Sequence, residues 1–452
     1  MKKFTSKKQL ILYGCAGLGI NMLSLFMGSY LCSALMTGGF EKNIEQWTYL
    51  NKDIVVYALW TVLAFFAKAL DGFIDLPFAY FIDKIKCKFG RRKMGILIGV
   101  IPTIITFVLF LIPLNNSATI LNTIWFGVIL CLFYSFYTLT MLTYYATFRE
   151  VCATEKDVMF LSNVKSIFDV VYFSLGFALI PVFIGMKFNI RIIALMFLPL
   201  ALTMLIPFFM LKENNDNLDD VDNEDNIKNE EQERITLKNA FKCSLKNKTF
   251  IYWMCTISVV TIGLQLFLGG INEVFSSTCL NMTVVMASSF APVPLTIMAY
   301  NKFMKKRGLG FAYRFVLTVF AIGMLVLLFC YFNPFNLTPL GLHIVAVLGG
   351  IFISFSIGAF FSITYSVPSN IAELEYQRTG KTVSAMYFAV QGVFEGIAAG
   401  IATGIILVAL KHFDCIWLLP IIASITCVIG FIMSYKFNQD ISLMGKENNV
   451  TK

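Results

Sequence analysis

Charge is scarce in this sequence of 452 residues. Lys, Arg, Asp and Glu make up 14% of the chain while 58% is hydrophobic, against roughly 25% and 45–50% in soluble globular domains. An ordinary soluble enzyme is thereby excluded. Histidine is scarcer still, with only His343 and His412. The eleven cysteines are scattered singly with no C-x-x-C spacing, so no zinc set is expected and no metal beyond a coupling ion. The cysteines read as small apolar residues in helices. There is no G-x-S-x-G and no G-x-x-x-x-G-K-[ST] loop, which argues against a membrane-embedded enzyme. The net charge of +9 does not signal nucleic acid, because the bases lie in short connections between apolar runs and form no basic face in water.

What is present is length in apolar runs. Twelve segments can be marked, near 9–36, 55–82, 94–114, 119–147, 160–185, 190–211, 250–275, 281–303, 311–332, 340–366, 382–410 and 415–436, each near the ~20 residues that cross a bilayer. The expected fold is an all-α polytopic membrane protein with twelve transmembrane helices in two six-helix halves. Residues 1–211 are the N-terminal half, 212–249 a linker, 250–437 the C-terminal half and 438–452 a tail. The start, MKKFTSKK before an apolar run, lacks an A-x-A-like cleavage site and reads as the flank of a retained first helix. With the linker and the C-terminal tail set aside, the N-terminal tail and alternate connections carry 19 Lys and Arg, and the opposite set only Lys42, Lys52, Lys187, Arg191 and Lys411. The positive-inside rule then places both termini and the linker in the cytoplasm of an inner or plasma membrane protein. The linker holds ten carboxylates over Glu213 to Glu233, expected to be disordered. Arg234 to Lys248 reads either as a basic amphipathic helix on the inner leaflet or as a plain surface linker.

Charges inside apolar segments are expensive and mark pathways or pairs. Helix 2 carries Lys68, Asp71 and Asp75, helix 5 Lys165 and Asp169, helix 7 Glu273 near its outer end, and helix 11 Glu395 beside Gln391. Asp71 and Asp75, four apart, share a helix face and repel unless a cation lies between them. Lys68 is the competing partner for Asp71, as a structural ion pair. Helix 4 offers Thr138, Thr140 and Thr143 as further oxygens for an ion, although such threonines often bond their own backbone. Lys165 and Asp169 can neutralise each other at i,i+4, either to fix packing or to meet solute. Glu395 lies among Gly392, Gly396, Ala399, Gly400 and Gly404, small residues that let another helix approach, so it should face the centre. Glu273 is expected to be in water.

Two halves joined by a long linker, with echoing basic loops at 83–93 and 301–308, have the outline of the major facilitator superfamily, whose halves are repeats around a midplane site. The stretch AKALDGFIDLPFAYFIDKIKCKFGRRKMGILIG resembles the glycoside-pentoside-hexuronide:cation symporters, the melibiose permease family, with Asp71, Asp75, Asp83, Gly90, Arg91 and Arg92 on its motif. Weaker likenesses are Tyr144 to Glu150 with Lys165, and Ile371 to Lys381. The resemblance implies a sodium, lithium or proton site at Asp71 and Asp75 with a helix 4 threonine such as Thr140, and Asp83, Gly90, Arg91 and Arg92 as a gating loop. It implies no cofactor other than the coupling ion. The family's solute contacts fall on Asn21, Lys165 and Glu395, with Gln391 one turn away; Asn21 stands where that family has Asp, Lys165 where it has Arg, and Glu395 where it has Lys, so the solute pocket differs. The expected function is symport of a small polar solute, a sugar or glycoside, by a monomer in the lipid bilayer. A carrier of lysolipids or other amphiphiles is the alternative.

Overall fold

A computed structural model describes residues 3–4, 6–38, 40, 44–74, 77–78, 90–153, 155–211, 247–276, 280–379, 384–437, 439–444 and 446. Its long helices are α1 (Lys7–Leu35), α2 (Tyr57–Phe73), α3 (Arg91–Phe110), α4 (Ile120–Val151), α5 (Glu155–Gly185), α6 (Ile190–Met210), α7 (Lys248–Ser276), α8 (Thr283–Arg307), α9 (Leu309–Phe332), α10 (Pro339–Thr379), α11 (Ser384–Gly400, continued by Ile401–Ile406 and Leu407–His412) and α12 (Ile416–Ser434). No strand occurs among the described residues.

Eleven of these helices are long and apolar enough to cross a membrane. The one that falls short is α2, whose 17 described residues include Lys68 and Asp71. Large apolar side chains exposed along single faces, such as Ile98, Ile101 and Ile105 on α3, are what a lipid-facing surface requires. The opposite faces bury Trp60, Tyr134, Trp253 and Tyr313.

Helix starts follow local chemistry. Ser6 and Gln9 form a capping box on α1, and the Thr119 and Asn189 side chains accept from Asn122 N–H and Arg191 N–H. Pro102 and Pro181 lie inside α3 and α5. Next to Pro102 the Thr103 and Thr106 hydroxyls donate to the carbonyls of Gly99 and Pro102, which satisfies these buried hydroxyls within the helix, away from water. Gly90 (φ 98°) and Gly308 (φ 82°) precede α3 and α9 at matching places in the two sets of six helices. That conformation favours glycine, and a Cβ on Gly308 would also lie 2.5 Å from the Ser442 carbonyl oxygen.

The two described ends of the chain share one face, where Phe4 N–H donates to Val151 O and Leu309 N–H to Met444 O. This is the terminal face, and the other is the far face. Where α1–α6 meet α7–α12, the closest approach is α2 against α11. A Cβ on Gly72 would lie 2.5 Å from the Gly392 carbonyl oxygen, and one on Gly396 3.0 Å from Gly72 Cα. Further toward the far face, Phe290 of α8 stacks on Phe177 of α5, ring centroids 4.5 Å apart.

Candidate functional site

The α2 helix brings Lys68 and Asp71 to the middle of the bundle. Thr138 of α4 donates to Asp71 Oδ1 at 2.6 Å, Lys68 Nζ lies 3.8 Å from Asp71 Oδ2, and the same ammonium sits 4.0 Å above the Tyr134 ring. The Asp71 carboxylate is thus held by a hydroxyl, with a loosely placed cation beside it and an aromatic face steadying that cation. Thr140, expected as the ion's threonine, is placed elsewhere. Its hydroxyl donates to the Phe136 carbonyl at 2.7 Å, and it is buried where α3 passes closely at Gly99. Thr143 likewise bonds Leu139 O. Thr138 is the threonine that meets Asp71. Asp75 and Asp83 lie outside the described residues, as does the Arg91 side chain; Gly90 caps α3 and Arg92 lies in its first turn, partly exposed.

From the opposite set, α11 presents Glu395. Gln391 donates to Glu395 Oε1 at 3.0 Å and to Thr364 O at 2.9 Å, and it accepts from the Trp253 indole N–H at 3.0 Å. This chain fixes the Gln391 amide, so Gln391 orients Glu395 from behind. Asp71 and Glu395 line one cavity of about 380 Å³, together with Lys68, Tyr137, Thr138, Tyr145, Thr261 and Gln265 among others. A wall of carboxylates, hydroxyls, an amide and one ammonium can bind a hard cation and a hydroxyl-rich solute together.

Asn21 and Lys165, expected as solute contacts, belong to one cluster. Lys165 is in direct contact with Asp169, and its ammonium lies 4.9 Å from the Tyr145 ring centroid. Asn21 donates to Asp169 Oδ1 at 3.2 Å and accepts from Tyr137 OH at 3.1 Å. Tyr137 and Tyr145 line the main cavity. Asn21 lines a second cavity of about 140 Å³, toward the far face, which shares Lys68 and Gln265 with the first.

Glu273 corrects an expectation. It is not in water: its side chain is 0% exposed and meets Lys411 Nζ at 3.1 Å. The sequence placed Lys411 in an outer connection, and its long side chain reaches back into the bundle from the end of α11. Gln265, Thr261 and the three tyrosines were also not singled out. The signal that would have marked Gln265 is its place as a lone glutamine in the apolar run of α7.

A bundle of apolar spanning helices with a polar cavity between two six-helix sets defines an integral membrane transporter. The chain belongs to the MFS/sugar transport protein family, whose model matches residues 12–426. No curated protein matches it. Among solved structures it is similar to the nucleoside transporter NupG (15% identity, 96% of this chain and 99% of that chain, TM-score 0.64) and a D-xylose-proton symporter (13%, 97% and 98%, 0.63). It is also similar to a mutant of a peptide transporter POT (13%, 98% of each chain, 0.63). At these identities the likeness is one of fold.

Proposed function

We propose that the chain is a cation-coupled symporter of the glycoside-pentoside-hexuronide type, moving a small polar solute, a sugar or glycoside, by alternating access. The observation that carries this reading is the shared cavity: Asp71 from α2 and Glu395 from α11 line it from opposite sets of helices, beside Lys68, Thr138 and Gln265. A coupling ion, sodium, lithium or a proton, binds Asp71 with Asp75 and draws on the Thr138 hydroxyl. The solute lies against Tyr137, Tyr145, Gln265 and Glu395, with Asn21, Lys165 and Asp169 behind. Binding both at the junction of two movable sets makes each a stabiliser of the same closed state, which is coupling in thermodynamic form. The charge pattern supports a cytoplasmic terminal face in the cell membrane.

The test is uptake into proteoliposomes of a disaccharide, a pentoside, a hexuronide and a lysolipid, with and without sodium and proton gradients. Gradient-stimulated uptake of a sugar, lost in Asp71→Asn, is expected. Uptake of the lysolipid alone, or sugar uptake indifferent to both gradients, refutes the reading. Single cysteines at Asn51 and Asn226 should react with an impermeant maleimide from opposite sides.

A further inference from the structure

Toward the far face, α1 and α11 are joined through one buried ammonium. Lys411, at the end of α11, points away from the turn that follows it and into the bundle, where its side chain is 3% exposed. Its Nζ lies 3.1 Å from Glu273 Oε1 on α7 and donates to Ser33 O at 2.6 Å and Ser33 Oγ at 2.8 Å on α1. A cation taken out of water into contact with a carboxylate and a carbonyl is held by all of them, because no solvent competes. The contact joins the two sets of helices. Around it the His412 ring stacks on Tyr57 of α2, centroids 3.8 Å apart, and a Cβ on Gly38 would lie 2.0 Å from the Lys411 carbonyl oxygen.

Directly behind Lys411 lies a small cavity of about 40 Å³, lined by Cys32, Ser33, Trp60, Tyr134, Thr403 and Lys68 among others. Lys68 also lines both larger cavities. Lys68 thus stands between the candidate site and the small, mainly apolar cavity that Lys411 borders. Two of the three helices that carry the closure contain a π turn just inside it: Phe26–Leu31 in α1, two residues before Ser33, and Ile401–Ile406 in α11, five before Lys411. A π turn loosens the regular backbone ladder and gives a helix a place to bend.

We propose that Lys411 is the latch of the far face, and that the face opens when the ends of α1 and α11 bend at their π turns. The remaining helices of each set keep their places. The proposal rests on the transport reading only in that access alternates, and its test needs no solute.

Cys32, kept as the sole cysteine, reports the latch, because it lines the small cavity behind Lys411. An impermeant methanethiosulfonate is applied from the far side. The paired variant Glu273→Gln with Lys411→Met leaves no buried charge unmatched, so it should assemble. Its Cys32 should label about tenfold faster than in the unmodified chain, within the usual range of coupling between states. Lys411→Arg, which keeps charge and donors, should label slowly. An unchanged rate in the paired variant at normal membrane abundance overturns the latch. The hinge is read by spin-label distances in the same background. Lys52 to Phe413 should lengthen on unlatching while Met186 to Phe335 stays fixed, and equal lengthening of both pairs overturns the bending of helix ends. A missing gradient effect in the uptake assay leaves both readouts intact, so failure of the symport reading and failure of the latch are separable.

Discussion

Lys68 with Asp71 and Lys411 with Glu273 are pairs of the same chemistry in two different surroundings. The first is loose, 3.8 Å, with side chains 21% and 26% exposed in a polar cavity. The second is tight, 3.1 Å, at 3% and 0%. In a wet cavity an ion pair gains little, because water screens it and can replace either partner. In a dry contact neither partner can be removed without stranding the other. The difference separates a carboxylate that is free to exchange its cation from one that is committed to it. By this criterion Asp71 suits the exchangeable ion proposed for it, and Glu273 suits the task of gripping Lys411 for as long as the far face stays closed.

The largest expected effect is on stability. Lys411→Ala should cost about 3–5 kcal/mol, since it leaves a buried carboxylate uncompensated, whereas Lys68→Ala should cost at most about 1 kcal/mol. Thermal unfolding in detergent measures both, and equal losses would break the contrast between the pairs. Next comes transport, where the order reverses: Asp71→Asn should abolish cation-stimulated uptake while barely moving the melting temperature. Uptake that keeps its full gradient dependence would return Asp71 to a packing role. Glu395→Gln should then lower solute affinity about tenfold at normal membrane abundance, the scale of a hydrogen bond to a charged group. Glu395→Lys should change which solutes bind. Unchanged affinity with reduced abundance would make Glu395 a packing residue. The smallest effect sharpens the comparison within α4. Thr138→Ala should raise the cation concentration for half-maximal uptake several-fold, by loss of one hydrogen bond that cavity water partly replaces, about 1 kcal/mol, and Thr140→Ala should leave it unchanged.

These particulars show where a sequence speaks plainly. The apolar spans and the two sets of six were legible because a bilayer imposes length and hydropathy on every helix that crosses it. Asp71 and Glu395 stood out for the same reason, as charges in runs that should hold none. Thr138 and Thr140 could not be told apart, since two residues along a helix point about 200° apart and only the position of α2 decides which of them meets Asp71. The burial of Lys411 was not legible because it lies at the end of an apolar segment, where a lysine counts toward topology whether it faces water or, through four methylenes, the interior. Its carboxylate partner lies 138 positions away in the chain, a distance no local pattern spans.

The bare contact at Gly72 gives the candidate ion site a mechanical neighbour. Gly72 follows Asp71 directly, and its backbone lies against Gly392 and Gly396, with Glu395 of the opposite set between those two positions. With no side chains to act as cushions, the two helix backbones meet like an axle in its bearing, and the two carboxylates sit at the axle rather than out on the moving arms. The π turn of α11 lies beyond this contact, so bending there carries Lys411 away while Glu395 stays beside Asp71. A substituent at Gly72 would act as a wedge in that bearing, parting the two carboxylates without touching ion or solute.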